Sequence, residues 1–234
     1  MASQKWSPTE AIRYANFAET SFSWRCIERP SLRSLIQPYV NGATTALDLG
    51  CGGGRIIRLL RQLGVAERSI FGIDSDITLI EIARKSYPAA KLICHDLTEL
   101  PHIGVPEVNI VTAHFVLQYL TVIELRQCLT ELHSLLVPDG FLAIGLPHPM
   151  RVAQQAGASY FSQTSHRIPA PWGGLTTSSS LTVSEYLNCI IQSGFALQRI
   201  EEPQISPACG YSADANSYQL GPTRLMILAR ASGA

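Results

Sequence analysis

Hydrophobic positions along this chain follow two periods in turn, and the switches fall at glycine, proline and small polar residues. Residues 8–20 have helical spacing with Pro8 near their start, and a second short helix is expected over 30–40, again opened by a proline, Pro30. Thr44–Leu49 then reads as a strand. Ile56, Ile57, Leu59, Leu60 and Leu63 recur at helical spacing within Arg55–Leu63. Ser69–Ile73 is a strand signal, Ile77–Ser86 a helix that stops before Pro88, and Ala90–Cys94 and Val108–Ala113 are strands. Val122–Leu136 is an amphipathic helix ended by Pro138-Asp139-Gly140, and Phe141–Leu146 is a strand. Strands and helices alternating with such short links predict an α/β fold, a mostly parallel sheet with helices on both faces.

After Pro147 the alternation breaks. Residues 147–181 are rich in Ser, Thr, Gly, Pro and aromatics, with weak periodicity. A helix over Thr182–Gln192 follows. Phe195–Glu201 and Thr223–Ala231 then read as two strands with no helix between them, which predicts an antiparallel pair at one sheet edge. The 147–181 segment contains Tyr160, Phe161 and Trp172, an ordering composition rather than a linker's. Long inserts of this kind in compact domains usually carry function.

At 234 residues the chain can bury one full α/β core. Its formal net charge is zero and no basic run exceeds two residues, which argues against a nucleic-acid partner. Met1–Glu10 is polar and lacks the apolar centre of a signal peptide, and no apolar run approaches the ~18 residues that span a bilayer. A cytoplasmic protein without a membrane partner is therefore expected. The cysteines Cys26, Cys51, Cys94, Cys128, Cys189 and Cys209 form no C-x-x-C pair, so no zinc is expected, and they read as small hydrophobes in a reducing cytosol. No carboxylate cluster marks a magnesium site either.

The most informative stretch is A-L-D-L-G-C-G-G-G, Ala46 to Gly54, which sits where a strand turns into a helix. Ligands with nucleotide-like parts meet backbone and a helix N-terminus at such turns. A dinucleotide fingerprint needs glycine at 55, where this chain has Arg55, and a Walker A loop needs Gly-Lys-Ser/Thr. Asp74 ends the next strand in F-G-I-D, a little over twenty residues after the glycines, and a carboxylate there can accept both hydroxyls of a ribose.

The glycine string resembles motif I of the class I S-adenosylmethionine-dependent methyltransferases, and further pieces arrive in the family's order. N-I-V-T-A-H-F-V-L-Q-Y-L, Asn109 to Leu120, resembles its fourth strand and following loop, with Asn109 where aspartate is usual. L-L-V-P-D-G, Leu135 to Gly140, resembles the turn before strand five. L-P-H-P, Leu146 to Pro149, and V-S-E-Y-L-N-C-I-I-Q-S-G-F, Val183 to Phe195, followed by Glu202-Pro203, resemble a small-molecule subgroup of secondary metabolism. The resemblance implies a Rossmann-like seven-stranded sheet of order 3-2-1-4-5-7-6 and a helical cap over residues 1–40. It implies a methyltransferase domain over 41–234, with 147–181 as the insert that forms the acceptor pocket and lid.

The implied cofactor is S-adenosyl-L-methionine, leaving as S-adenosyl-L-homocysteine. Gly50 and Gly52, with Cys51 between them, would let its ribose and amino-acid tail lie against backbone, where a Cβ would intrude. Asp48 would orient the loop or reach the ammonium. Asp74, with Ser75 beside it, would take the ribose, and Asp96 the adenine amino group with Leu97 against the ring. Tyr14, Phe22, Trp24 and Arg25 fall in the segment that closes over the cofactor in this family. Tyr14 and Arg25 are candidates for the cofactor, and Phe22 and Trp24, with Tyr160, Phe161 and Trp172, for the acceptor.

If the acceptor is a hydroxyl, a base helps. His148 is the first candidate and His114 the second, because they follow strands five and four where ligands enter. Gly140–Ser184 contains no Asp or Glu, and its only formal charges are Arg151 and Arg167. A pocket lined by it would suit a neutral or anionic, aromatic or polyketide-like acceptor, with O-methylation favoured over N- or C-methylation. The alternative is that Glu19 and Glu28 line the pocket. A fold relative that binds the cofactor without transferring its methyl, such as a cyclase, stays open, as does a monomer or a homodimer. The missing glycine at 55 argues against a nicotinamide oxidoreductase.

Overall fold

The computed structural model describes residues 6–102, 104–162, 164–179, 181–209, 216, 218 and 220–232. Residues 1–5 of the segment read for a signal peptide lie outside this set, as does part of the loop before the last strand.

Helix α1 (Pro8–Thr20) starts at a capping box, in which the Ser7 hydroxyl accepts from the Glu10 N–H and the Glu10 carboxylate accepts from the Ser7 N–H. A π-turn at Trp24–Glu28 leads into α2 (Arg29–Ile36) and a 3-10 turn, so the expected helix over 30–40 is shorter and preceded by wider winding. The core then alternates: β1 (Ala46–Leu49), α3 (Arg55–Gln62), β2 (Ile70–Asp74), α4 (Ile77–Ser86), β3 (Lys91–Cys94) and β4 (Val108–His114). After these come α5 (Val122–Leu135), β5 (Leu136–Pro147), α6 (Pro149–Ala156), a hairpin of β6 (His166–Pro169) and β7 (Leu175–Ser178), α7 (Val183–Gln192), β8 (Phe195–Glu201) and β9 (Arg224–Ala231).

The main sheet has the order β3-β2-β1-β4-β5-β9-β8. This is the expected 3-2-1-4-5-7-6 once the separate β6–β7 hairpin is set aside. β3, β2, β1, β4 and β5 are parallel, and β9 is antiparallel to both β5 and β8. Strand alternation feeds two apolar layers, one per face. Along β9, Leu225, Ile227, Ala229 and Ala231 enter the layer under α5 and α7, while Met226 and Leu228 enter the layer under α2, α3 and α4. Asn109, in the aspartate position of the family pattern, ties strand to strand: its Oδ1 accepts the Thr45 N–H at 2.8 Å. Among the described residues no helix is long and apolar enough to cross a membrane.

Three expectations need correction. Pro138-Asp139-Gly140 does not separate helix from strand, because α5 stops at Leu135 and Leu136 already pairs with Val108. The three residues form a bulge inside β5, with Asp139 at φ 63° and the register slipping before Ile110 meets Phe141. The weak periodicity over 147–181, which suggests no regular elements there, conceals some. The insert holds α6, started by Pro149 and stopped by Gly157 at φ 60°, and a hairpin whose strands are only four residues each, too short to print a period. Finally, Cys26 and Cys209 are joined by a disulfide, while Cys51, Cys128 and Cys189 are buried free thiols and Cys94 is an exposed one. Nothing in the spacing announces that bond, since 183 positions separate its halves and only folding brings the π-turn against the loop after β8.

Two left-handed glycines separate backbone strain from crowding. A Cβ at Gly54 (φ 95°) would sit 2.5 Å from the Tyr87 ring, whereas one at Gly64 (φ 98°) would meet nothing within 4 Å. Gly64→Ala should lose about 1–2 kcal/mol from backbone strain alone. Gly54→Ala should lose a further ~1–3 kcal/mol from overpacking, read from urea unfolding midpoints. Equal losses would mean that the Tyr87 ring moves aside at no cost.

Candidate active site

The first βα turn is built from backbone conformations that side chains resist. Gly50, Gly52 and Gly54 have φ of 68°, 51° and 95°. The Cys51 N–H reaches the Ile73 carbonyl at 2.9 Å, which ties the turn to the end of β2. Asp74 completes the tie: one carboxylate oxygen accepts the Gly52 N–H and the other the Asp76 N–H, each at 2.9 Å. Asp76 caps α4 by accepting from the Thr78 and Leu79 amides. Burial pushes the Asp74 carboxyl up to about 6, against the pull of those two amides.

Behind the turn, Asp48 is completely buried. Its Oδ1 accepts the Thr112 hydroxyl at 2.9 Å, and its Oδ2 has no hydrogen-bond partner. Burial raises this carboxyl to about 7, opposed by Thr112 and the charge of Arg55. An orphaned, half-ionised carboxylate beside a glycine turn is an acceptor waiting for a donor.

Two cavities meet at Gly50 and Tyr14. The larger, about 220 Å³, runs past the ends of β2 and β3, where Asp74, Ser75, Asp96 and Leu97 line it, to an end walled by Trp6, Phe115, Tyr119, Ser165 and Thr177. The smaller, about 140 Å³, lies between α1 and the glycine turn and touches Glu19, Cys51, Gly52, Arg55 and His114. Tyr14, shared by the two cavities, packs on Trp6 of the larger one at 4.8 Å and on Trp172, at the hairpin tip and in neither lining, at 4.9 Å. The structure thus brings Tyr14, Gly50, Asp74, Ser75, Asp96 and Leu97 to one cavity. Asp96 also serves its own turn, its Oδ1 accepting from the Thr98 amide and hydroxyl.

The expected steric role of the glycines is corrected in detail. A Cβ at Gly50 would strike Val116 at 2.6 Å, and one at Gly52 would come 3.5 Å from the Tyr14 ring. At Gly50 the missing Cβ admits the Val116 side chain, while at Gly52 the contact would be an ordinary one, so there only the left-handed backbone resists a side chain.

Other sequence candidates lie elsewhere. Arg25 points to solvent. Trp24 is buried beneath the Arg55 guanidinium at 4.9 Å, Phe22 packs on Tyr218 at 5.6 Å, and Phe161 is 78% exposed. The Tyr160 hydroxyl accepts the Val183 N–H. His148 lines neither cavity. It is the N-cap of α6, with Nδ1 accepting from Met150 N–H and Nε2 2.9 Å from Glu202. A histidine after strand five stands where a helix begins, and capping uses the same lone pair that a base needs.

His114 does line the smaller cavity, but as part of a buried ion cluster. Arg55 Nη2 lies 3.0 Å from its Nδ1, so the guanidinium donates and the ring proton sits on Nε2, which has no hydrogen-bond partner. Burial and then the Arg55 charge lower His114 to about 3. Gly145 on β5 makes room for the ring, since a Cβ there would lie 2.5 Å from it. Glu28 faces the same group. Arg224 Nε donates to it at 2.7 Å, Arg55 Nη1 lies at 3.6 Å and His114 Nε2 at 3.9 Å. Burial alone would raise the Glu28 carboxyl, but Arg224 and Arg55 outweigh it and hold it below the usual range. Phe115, at a left-handed φ of 58°, lies between the cluster and the larger cavity, its ring 5.5 Å from the Arg55 and 5.1 Å from the Arg224 guanidinium carbon.

Local pattern does not single out Trp6, Arg55, Phe115 or Tyr119 for the site. In the sequence Arg55 only breaks a dinucleotide fingerprint and opens a helix. Phe115 and Tyr119 stand within the quoted H-F-V-L-Q-Y run, so the signal was present without the positive φ that aims it.

Residues 46–140 match a family model described as a methyltransferase domain. Trans-aconitate 2-methyltransferase of Delftia acidovorans is 30% identical over 143 residues, 61% of this chain and 49% of that protein. Carboxy-S-adenosyl-L-methionine synthase of Actinobacillus pleuropneumoniae is 27% identical over 117 residues, 47% of each chain. The chain spans about half the length of these curated relatives. An S-adenosylmethionine-dependent methyltransferase structure from Mesorhizobium loti has the same fold, with a TM-score of 0.69 at 21% identity over 90% of this chain and 98% of that one.

Asp48 should make the ligand-free protein lose stability as pH rises. Its folded carboxyl titrates near 7 against an ordinary value near 4, so between these values the folded state keeps a proton that the unfolded state has released. The stability difference between wild type and Asp48→Asn should then fall with pH by up to about 1.4 kcal/mol per unit over that window. Urea unfolding across pH 5 to 8 reads it, and a flat difference would refute the buried proton.

Proposed function

We propose that this chain, which belongs to the class I S-adenosylmethionine-dependent methyltransferase superfamily, transfers the methyl group of S-adenosylmethionine to oxygen on a small neutral or anionic molecule. The observation that carries the reading is the larger cavity, lined by Asp74, Asp76 and Asp96 from the β2 and β3 ends, by Glu124 from α5, and by the aromatic and hydroxyl groups of Trp6, Phe115, Tyr119, Ser165 and Thr177. The cradle fits the cofactor. Glycine backbone faces it, Asp48 Oδ2 lacks a partner, and two further carboxylates stand where hydroxyl and amino donors would come.

When bound, S-adenosylmethionine supplies a methyl on a sulfonium sulfur. Asp74 accepts the ribose hydroxyls while its backbone bonds hold the turn. Asp96 and Leu97 take the adenine, and Asp48 orients the ammonium. Tyr14, Trp6 and Trp172 join helix α1 to the insert hairpin, so that the described parts of the cap and the insert together close the site and exclude water. Much of the rate then comes from alignment of acceptor and methyl.

The acceptor's character follows from which charges remain unspent. Asp74, Asp76, Asp96 and Glu124 line the larger cavity, but each already accepts backbone or hydroxyl donors, Asp74 from the turns after β1 and β2 and the others from their own turn or helix cap. The acceptor end presents Trp6, Phe115, Tyr119, Ser165 and Thr177, a wall for a planar molecule. The Delftia relative is named for trans-aconitate, an anion, which supports the anionic half of the reading. A second reading, use of the cofactor without methyl transfer, is favoured by the likeness to carboxy-S-adenosyl-L-methionine synthase.

Methyl-labelled S-adenosylmethionine separates the two: label should appear on an acceptor, with S-adenosylhomocysteine as co-product. Asp74→Ala should weaken cofactor binding by roughly 1.5–3 kcal/mol in calorimetry. Wild-type protein that binds neither cofactor nor product would end the reading.

A further inference from the structure

We propose that the acceptor is a carboxylic acid, methylated as its carboxylate to an ester, and that the buried Arg55–Glu28–Arg224 cluster behind Phe115 selects it. The inference rests on the methyl-transfer reading above and narrows it to one acceptor group.

The first line of argument is the absence of a usable base among the described residues that line the cavities. His114 gives its one lone pair to Arg55 and carries its proton on Nε2, so it has no site to accept another. His148 is spent on the cap of α6 and on Glu202. Tyr14 and Tyr119 are held protonated by burial, Tyr119 up to about 12. Asp74, Asp76 and Asp96 stand at the cofactor end and already accept backbone or hydroxyl donors, Glu19 pairs with Arg58 at 3.2 Å, burial holds the Cys51 thiol protonated, and Glu124 is kept below the usual carboxylate range by the Thr121 backbone and hydroxyl. Phenols titrate near 10 and alkylamines are protonated at neutral pH, so both must lose a proton before they attack. A carboxylic acid arrives already ionised. Its oxygen lone pair forms the new O–C bond, the C–S bond breaks with its electron pair going to sulfur, and no proton moves.

The second line is charge. Two guanidiniums face one carboxylate in the cluster, and the neighbouring histidine is neutral, so the group carries one surplus positive charge with little access to water. Side-chain exposure is 9% for Arg55, 12% for Arg224 and 1% for Glu28, so solvent screens that charge poorly. Phe115 lines the acceptor end and has both guanidiniums against its ring. An anion there gains from the field without competing for the guanidinium hydrogen bonds.

The test uses the whole protein with methyl-labelled S-adenosylmethionine and a matched panel: aromatic and aliphatic carboxylic acids, with the phenol, alcohol and amine of the same skeletons. Label is expected only with the acids, in a product that alkali hydrolyses to labelled methanol. Label in alkali-stable ethers or amines overturns the carboxylate inference and leaves methyl transfer standing. Bound cofactor with no transfer to any member overturns both. Charge variants test the selector. Arg224→Gln should raise KM for the acid about five-fold or more while the calorimetric affinity for S-adenosylhomocysteine stays within about two-fold, and Arg224→Lys should recover most of it. Glu28→Gln, which raises the surplus, should move KM the opposite way. Unchanged KM in folded Arg224→Gln and Glu28→Gln proteins overturns the role of the cluster.

Discussion

Glu28 is a carboxylate with almost no access to water, and its contacts join three distant parts of the chain. It belongs to the π-turn of the N-terminal cap, Arg55 opens the helix after the glycine turn, and Arg224 opens the last strand. Removing such a charge from water costs several kcal/mol unless partners replace the lost hydration. The two arginines do so here, and each is itself buried and needs the carboxylate in return. The cap therefore cannot sit elsewhere without leaving charges unpaired. Because Arg55 follows directly on Gly54, the same contact that seats the cap also fixes the end of the glycine turn. Trp24, in the same π-turn, covers the opposite side of that guanidinium.

A second constraint acts on the same turn. Asp74 binds the turn after β1 and the turn after β2 through one side chain, so the edges of the cavity are set against each other rather than separately. Its raised pKa reflects the cost of that position. The two constraints have opposite electrostatic character: carboxylates gather around the β2 and β3 ends, and the surplus of guanidinium lies behind Phe115. A cofactor bearing a cationic sulfur and an acceptor bearing a negative oxygen would each meet its complement, with the methyl between them.

The positive φ of Phe115 shows how backbone strain serves this division. A left-handed conformation in a bulky residue is costly and persists only where neighbours enforce it. Here its N–H is held by the Gly145 carbonyl at 2.8 Å and its ring by two cations. The same Gly145 lacks a Cβ so that His114 can fit. A histidine and a phenylalanine in consecutive positions are thereby turned to different tasks, one into the ion cluster and one onto the cavity.

Periodicity and glycine spacing carried the sheet, its helices and the place of the cofactor turn, because those depend on local repetition: alternate residues along β9 must face alternate layers, and the turn after β1 needs left-handed backbone. Asp74 was legible for the same reason, as the last residue of a short strand at fixed distance from the glycines. Some misses are local: the His148 cap of α6 and the Pro138–Gly140 bulge involve near neighbours but print no period. Others concern partners remote in the chain: whether Arg25 or Arg55 enters the site, and whether Cys26 meets Cys209, depend on which surfaces fold together. A pattern read a few residues at a time contains no term for that. Residue types and their local order determined the fold and the cradle. The tertiary structure alone decided which charges are buried together, and so which side chains retain a free lone pair or proton for chemistry.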